Sequence, residues 1–215
     1  MQYPADVSRV RFIPPALPRL KPSPPTGTNW SYEVKLDGFR VQLHKASGTA
    51  RVFGKNGGDF MRRFPAIAAA VLALPTRSCI IDGELIAAGE HGEPDFRALL
   101  HGRHVPVCVY AFDLMELDVR DLREQPLEQR RSHLKRLLAR SKGNLIRFSD
   151  SFPEPIVLLA ECIRLGLERM QAQGCAVSIR SALRLGEGQN LGVEGSEQVS
   201  RQALREAGAG CGARA

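Results

Sequence analysis

No apolar run in this chain approaches the roughly 20 residues that a bilayer-spanning helix requires. The N-terminus lacks the basic-then-apolar order of a secretion signal. A cytoplasmic location with no membrane partner is therefore expected. C-x-x-C spacing is absent as well: Cys79, Cys108, Cys162, Cys175 and Cys211 stand singly, and no histidine pair completes a zinc pattern. Reduced thiols, several of them in the core, are expected, and no cysteine is assigned to a metal. Aromatic residues make up only 6% of the chain, and none follows Phe152.

What is present is a chain of 215 residues with 43% hydrophobic content, enough for one sizeable core and an appendage. The formal net charge is +7. A basic balance favours a polyanionic partner such as nucleic acid or nucleotide. An arginine-rich solvated surface gives the same balance, so charge alone does not decide.

Residues 4–25 hold seven prolines with little periodicity and read as an extended lead-in over 1–29. From Trp30 short alternating segments begin. Tyr32, Val34 and Leu36 alternate with Glu33, Lys35 and Asp37, and Phe39, Val41 and Leu43 alternate with Arg40, Gln42 and His44. Both stretches read as half-buried strands. Ser47-Gly48 predicts a turn before a strand at Ala50–Phe53, and Asn56-Gly57-Gly58 a loop. Helices are expected from Pro65 to about Leu74, from Pro126 to about Arg140, and from Pro155 to Leu165. Strands are expected at Cys79–Ala87 and Val105–Leu114. After Glu168 the sequence turns to Gly, Ala, Ser, Gln and Arg, and 169–215 reads as a divergent tail, disordered or partly helical, with a short helix allowed at Glu197–Glu206.

The chemistry concentrates in Glu33-Val34-Lys35-Leu36-Asp37-Gly38-Phe39-Arg40. On a continuous strand, period two would put Glu33, Lys35 and Asp37 on one face. A lysine becomes a nucleophile only when it loses its proton, and it can then attack phosphorus or carbonyl carbon. Gly38 permits close backbone approach, and Arg40 offers a bidentate fork to a phosphate or ribose oxygen. A lone K-x-D-G also recurs by chance. Further stations are Lys55-Asn56-Gly57, Asp82-Gly83-Glu84 and Phe112-Asp113. Glu84 can bond a ribose hydroxyl or help hold Mg²⁺, and Phe112 can stack on a purine. Each alone is also an ordinary structural residue, Phe112 as core and Glu84 as a strand acid.

Taken together, KLDGFR, KNGGDF, IDGELIA and VYAFDLMELD resemble the successive nucleotidyltransferase motifs of ATP-dependent DNA ligases, most of all the ligase domain of the bacterial end-joining type. Phe12-Ile13-Pro14-Pro15 and Pro94-Asp95-Phe96 look like that family too, and the resemblance covers roughly 10–168. It implies an α+β fold of antiparallel sheets flanked by helices, of the ATP-grasp-like adenylation type, with a poorly ordered C-terminal tail. It implies Lys35 as the nucleophile that takes AMP from ATP, Glu33 near the adenine edge, and Arg40 on ribose or the nick. Lys55 would meet ribose or DNA phosphate, standing where the family usually carries arginine. Glu84 would bind ribose and, with Glu168, Mg²⁺; Phe112 would stack on adenine. ATP and Mg²⁺ are the implied cofactors. Nicked or broken double-stranded DNA is the implied partner, with end-joining proteins beside it, in DNA repair and recombination at a bacterial nucleoid.

Two departures accompany the resemblance. Gln173 stands where the family's next motif carries lysine, and the final K-x-K motif and the oligonucleotide-binding fold do not follow. The motif break coincides with the compositional break near residue 169, as expected of a shifted reading frame or a degenerated gene. The expected activity is ligation through a lysyl-AMP intermediate, impaired in this chain. A non-catalytic nucleotide- or DNA-binding remnant, and an RNA ligase or capping-type nucleotidyltransferase, are the alternatives.

Overall fold

The computed structural model describes residues 11–16, 30–87, 95–101, 106–152, 170–174 and 190–193. The chain divides into two compact units that interleave along the sequence, one built from 1–16, 36–150 and 175–188 and the other from 17–35, 151–174 and 189–215. The architecture is α+β, as the sequence predicts.

The strands and helices of the first unit are β2 (Phe39–Ala46), β3 (Thr49–Gly54), α1 (Pro65–Leu72), β4 (Cys79–Ala87), α2 (Phe96–Leu100), β5 (Val107–Leu117), β6 (Arg120–Asp121), α3 (Leu127–Ala139) and β7 (Ile146–Phe148). The sheet order is β3-β2-β4-β5-β6, antiparallel throughout, and β7 adds to β5 in parallel, so the sheet is mixed. Ser47 and Gly48 both take positive φ, 49° and 74°, which gives the tight β2–β3 hairpin its primed turn. One sheet face carries the core. Val41, Leu43, Ile81, Leu85, Val109, Ala111 and Leu114 pack there against Ile67 and Val71 of α1 and Leu134, Leu137 and Leu138 of α3. Fully burying each of these Val, Leu and Ile side chains contributes on the order of 2 kcal/mol. Asp95 caps α2 by accepting from the Ala98 amide at 3.0 Å. The Lys45 ammonium donates to the Leu72 and Leu74 carbonyls at 2.6 and 2.7 Å and closes the C-terminal end of α1.

The second unit holds β1 (Trp30–Val34), β8 (Ser151–Phe152), β9 (Met170–Gly174) and β10 (Asn190–Val193), in the antiparallel order β10-β9-β1-β8. Two expectations change here. β1 stops at Val34, so Lys35 and Asp37 leave the strand and the predicted acid-lysine-acid row does not form. The described parts of the tail are strands and not helix: β9 finds its ladder partner in β1, and β10 pairs in turn with β9. The expected helices at 155–165 and 197–206 lie outside the described residues. Among the described residues no helix is long and apolar enough to cross a membrane.

The turn between β5 and β6 carries strain. Asp118 and Val119 both take positive φ, 48° and 62°, a region that a β-branched residue rarely adopts. The Asp118 carboxylate holds the turn by accepting from the Thr76 hydroxyl at 2.7 Å and the Arg77 amide at 2.9 Å, while the Val119 amide donates to the Ser78 hydroxyl at 2.8 Å. The Val119 side chain is 67% exposed and gains little from packing. Val119→Asn is expected to raise stability by about 1 kcal/mol in urea unfolding, whereas Val119→Ile gains nothing.

Candidate functional site

The second face of the first unit's sheet is polar, yet much of it is withdrawn from water. Gln42 and His44 of β2 are 2% and 1% exposed. The alternation predicts these positions on a solvated face; they are buried because residues 11–16 lie against this face. The Gln42 amide bonds the Ile13 backbone twice, accepting from its N–H at 3.2 Å and donating to its carbonyl at 2.5 Å. The Phe12 ring meets Phe53 edge-on at 5.9 Å. The His44 Nε2 lies 3.2 Å from the Gln42 Oε1, and His44 Nδ1 is buried without a partner. Burial holds the His44 imidazole neutral, pushing its pKa down to about 4.

Arg40 stands at the centre of this face. Its Nε and Nη2 donate to the two Asp82 oxygens at 3.2 and 2.9 Å, and its Nη1 donates to the Ala16 carbonyl at 2.8 Å. Burial works against the guanidinium charge, but the Asp82 carboxylate outweighs it and raises the Arg40 pKa further. Burial pushes the Asp82 carboxyl up, and the Arg40 charge pulls it back. The guanidinium lies over the Phe112 ring, 5.5 Å from its centroid. Phe112 reaches this place through a β-bulge. Asp82 pairs with Asp113 and Gly83 with Ala111, so Phe112 is the extra residue on β5. Helix α3 holds the bulge: Arg130 donates to both Asp113 oxygens at 2.8 and 2.9 Å, and Arg131 donates to the Phe112 carbonyl at 2.9 Å. Across the strands Arg40 pairs with Glu84, Glu84 with Tyr110, and Tyr110 with Arg147.

The structure thus brings together Arg40, Glu84 and Phe112 of the predicted set. Lys55 sits exposed in the loop that closes between Gly54 and Gly58, where the Gly57 φ is 80°. Glu33 and Lys35 belong to the second unit: Glu33 lies fully buried on β1, and Lys35 follows it half-buried. Asp37 is exposed. Only glycine fits at 38, since a Cβ there would sit 2.3 Å from the Leu85 carbonyl oxygen. Glu168 lies outside the described residues. Among those described, no three His, Cys, Asp or Glu side chains gather to hold a metal ion. Cys79 and Cys108 are reduced and buried, and burial raises the Cys79 thiol pKa to about 12. Sequence reasoning assigns no role to Gln42, Asp113, Arg130 or Arg131. A signal was there for Arg130 and Arg131, which interrupt the apolar stripe between Leu127 and Leu134 at helical spacing and so call for buried partners.

Comparison with known proteins gives the class first. Residues 20–152 match the family described as the ATP dependent DNA ligase domain. The chain is 37% identical over 175 residues to the multifunctional non-homologous end joining protein LigD of Pseudomonas aeruginosa, covering 79% of this chain and 21% of that protein. It is 37% identical over 157 residues to a probable DNA ligase of Streptomyces coelicolor, covering 66% and 31%. The crystal structure of the ligase domain of M. tuberculosis LigD superposes with a TM-score of 0.63 at 25% identity, over 69% of this chain and 50% of that one. A mycobacterial DNA ligase D complexed with ATP and MES shares the fold, with a TM-score of 0.61 at 24% identity over 75% of this chain and 55% of that one. This chain belongs to the ATP-dependent DNA ligase domain family. It spans about a fifth to a third of the length of these curated relatives.

Removing one partner from a buried ion pair leaves the other charge uncompensated. Asp82→Asn is expected to cost about 3 kcal/mol in chemical denaturation. His44 has its folded pKa below its unfolded value, so its contribution is complete above about pH 6.5 and is lost as the pH falls towards about 4. Over that window the wild type should lose about 3 kcal/mol more than His44→Gln. Equal slopes for the two proteins in pH-dependent unfolding would remove His44 as the cause.

Proposed function

We propose that this chain catalyses the adenylation step of ATP-dependent DNA ligation, with Lys35 as the nucleophile. The neutral Lys35 amine attacks the α-phosphorus of ATP, a P–N bond forms, and the P–O bond to pyrophosphate breaks. The amine proton leaves to solvent. AMP then passes to a DNA 5′-phosphate, and a 3′-hydroxyl displaces it as the nick closes.

The observation that carries this reading is the convergence of Arg40, Glu84 and Phe112, distant in sequence, on one face of one sheet. An aromatic ring, a fixed cation and an adjacent acid are a set that suits a purine nucleoside. Phe112 would stack on the base. Glu84 would bond the ribose, Glu33 would lie at the adenine edge, and Lys55 would meet a phosphate. Arg40 acts through its charge and its hold on the ring, since its fork is engaged by Asp82 and Ala16. The described carboxylates do not form a resident metal site, and magnesium would arrive on the nucleotide phosphates with Glu84 and Glu168 as protein ligands. The net charge of +7 suits nicked or broken double-stranded DNA as the second substrate, in repair and end joining inside the cell.

A second reading, a nucleotide binder without turnover, is favoured by Gln173 at the place of the family's lysine. The test is incubation with α-³²P-ATP and Mg²⁺ beside Lys35→Ala, followed by a denaturing gel. A labelled band that the control lacks is expected, with ATP preferred to GTP, and Gln173→Lys should raise its rate by on the order of 10²-fold. Folded protein that binds ATP but forms no band would establish the second reading instead.

A further inference from the structure

We propose that residues Phe12–Ala16 are a positioning strap for the nucleotide site and that Gln42 is the residue through which the strap acts, an inference that rests on the adenylation reading. The strap lies before residue 20, where the match to the ligase family begins. Pro14 and Pro15 keep it extended and bias Ile13 the same way. One side chain, Gln42, satisfies both backbone groups of Ile13. Three residues on, the Ala16 carbonyl accepts from Arg40 on the side of the guanidinium that Asp82 does not hold. One residue before, the Phe12 ring packs on Phe53 and against Gly57, in the loop that carries Lys55; a Cβ at Gly57 would lie 3.2 Å from that ring. Five residues therefore join the supports of both cationic residues assigned to the nucleotide.

A strap that merely sealed the core would place apolar groups in it. None of residues 11–16 belongs to the hydrophobic core cluster. The contacts of Ile13 and Ala16 are instead polar and directed at Gln42 and Arg40. Fixing a guanidinium on two sides before the ligand arrives lowers the cost of ordering it on binding.

The test uses the full chain and two substitutions. Gln42→Glu turns the donor facing the Ile13 carbonyl into an acceptor, and Ile13→Pro removes the donor facing Gln42. Each should raise the KM for ATP in Lys35 adenylation about tenfold while the rate at saturating ATP changes little. The effect should vanish in an Arg40→Ala background. A purely structural role would lower thermal stability and the active fraction and leave KM unchanged, which overturns the proposal. The Arg40 Nε–H proton, followed by NMR hydrogen exchange, supplies a readout independent of turnover. Its protection should fall in both variants. Unchanged protection in both variants overturns the strap whether or not the wild type forms an adduct, whereas a wild type without an adduct defeats only the adenylation reading.

Discussion

Asp82 accepts two hydrogen bonds from Arg40 across neighbouring strands, and their side chains are only 6% and 16% exposed. Taking two charges out of water costs several kcal/mol per ion, and only close bidentate geometry with further hydrogen bonds offsets it. The rest of the polar face follows from that requirement. Arg40 needs a third acceptor, which Ala16 supplies, and a surface to lie on, which Phe112 supplies. The pair also sorts the two acids of Asp82-Gly83-Glu84. Both oxygens of Asp82 are engaged by Arg40, which accords with the proposal that Glu84 is the acid of this strand that meets the nucleotide.

Asp82 stands in register with Asp113, and two carboxylates side by side repel one another. Each is met by its own arginine, Arg40 on one side and Arg130 from α3 on the other. The arrangement neutralises the acids without a metal and ties α3 to the bulge that turns Phe112 toward Arg40. Changes in α3 at Arg130 or Arg131 therefore act on the position of Phe112 without touching a ligand. An aromatic placed by a bulge depends on such anchoring, since the extra residue is left out of the ladder.

Much of this was legible in the sequence. The strand at 79–87 and the helices that begin near Pro65 and Pro126 follow from alternation, helical spacing and proline placement, which are local properties. Arg40, Glu84 and Phe112 could be named because their motifs stand in order along the chain. The end of β1 at Val34 could not be read, since alternation continues through Asp37 while the backbone leaves the ladder for the close approach at Gly38. The burial of Gln42 and His44 was equally hidden. Alternation tells which residues share a face, and it cannot tell that an extended segment some thirty residues earlier covers that face. Composition did not reveal the two short strands described in the tail. Scarcity of aromatic residues bears on side-chain burial, whereas the ladder between β1 and β9 is made by backbone groups that every residue except proline carries in full.

That last distinction bears on the second unit. β1 is flanked by β8 on one side and β9 on the other, so the strand that leads directly into Lys35 has both edges paired. An edge strand would present a row of open backbone groups, and the residues after it would start from a freer backbone. Pairing on both sides holds Tyr32 and Glu33, and β9 alone carries the ladder on to Val34, one residue before the lysine. β9 lies beyond residue 152, where the family match ends, and it carries Gln173, where the sequence resemblance implies a lysine. Gln173 pairs with Ser31 of β1 through backbone groups that a lysine in its place would carry equally. A missing charge weakens electrostatic help to a transferring phosphoryl group. It leaves intact the strand pairing that holds the end of β1 in place.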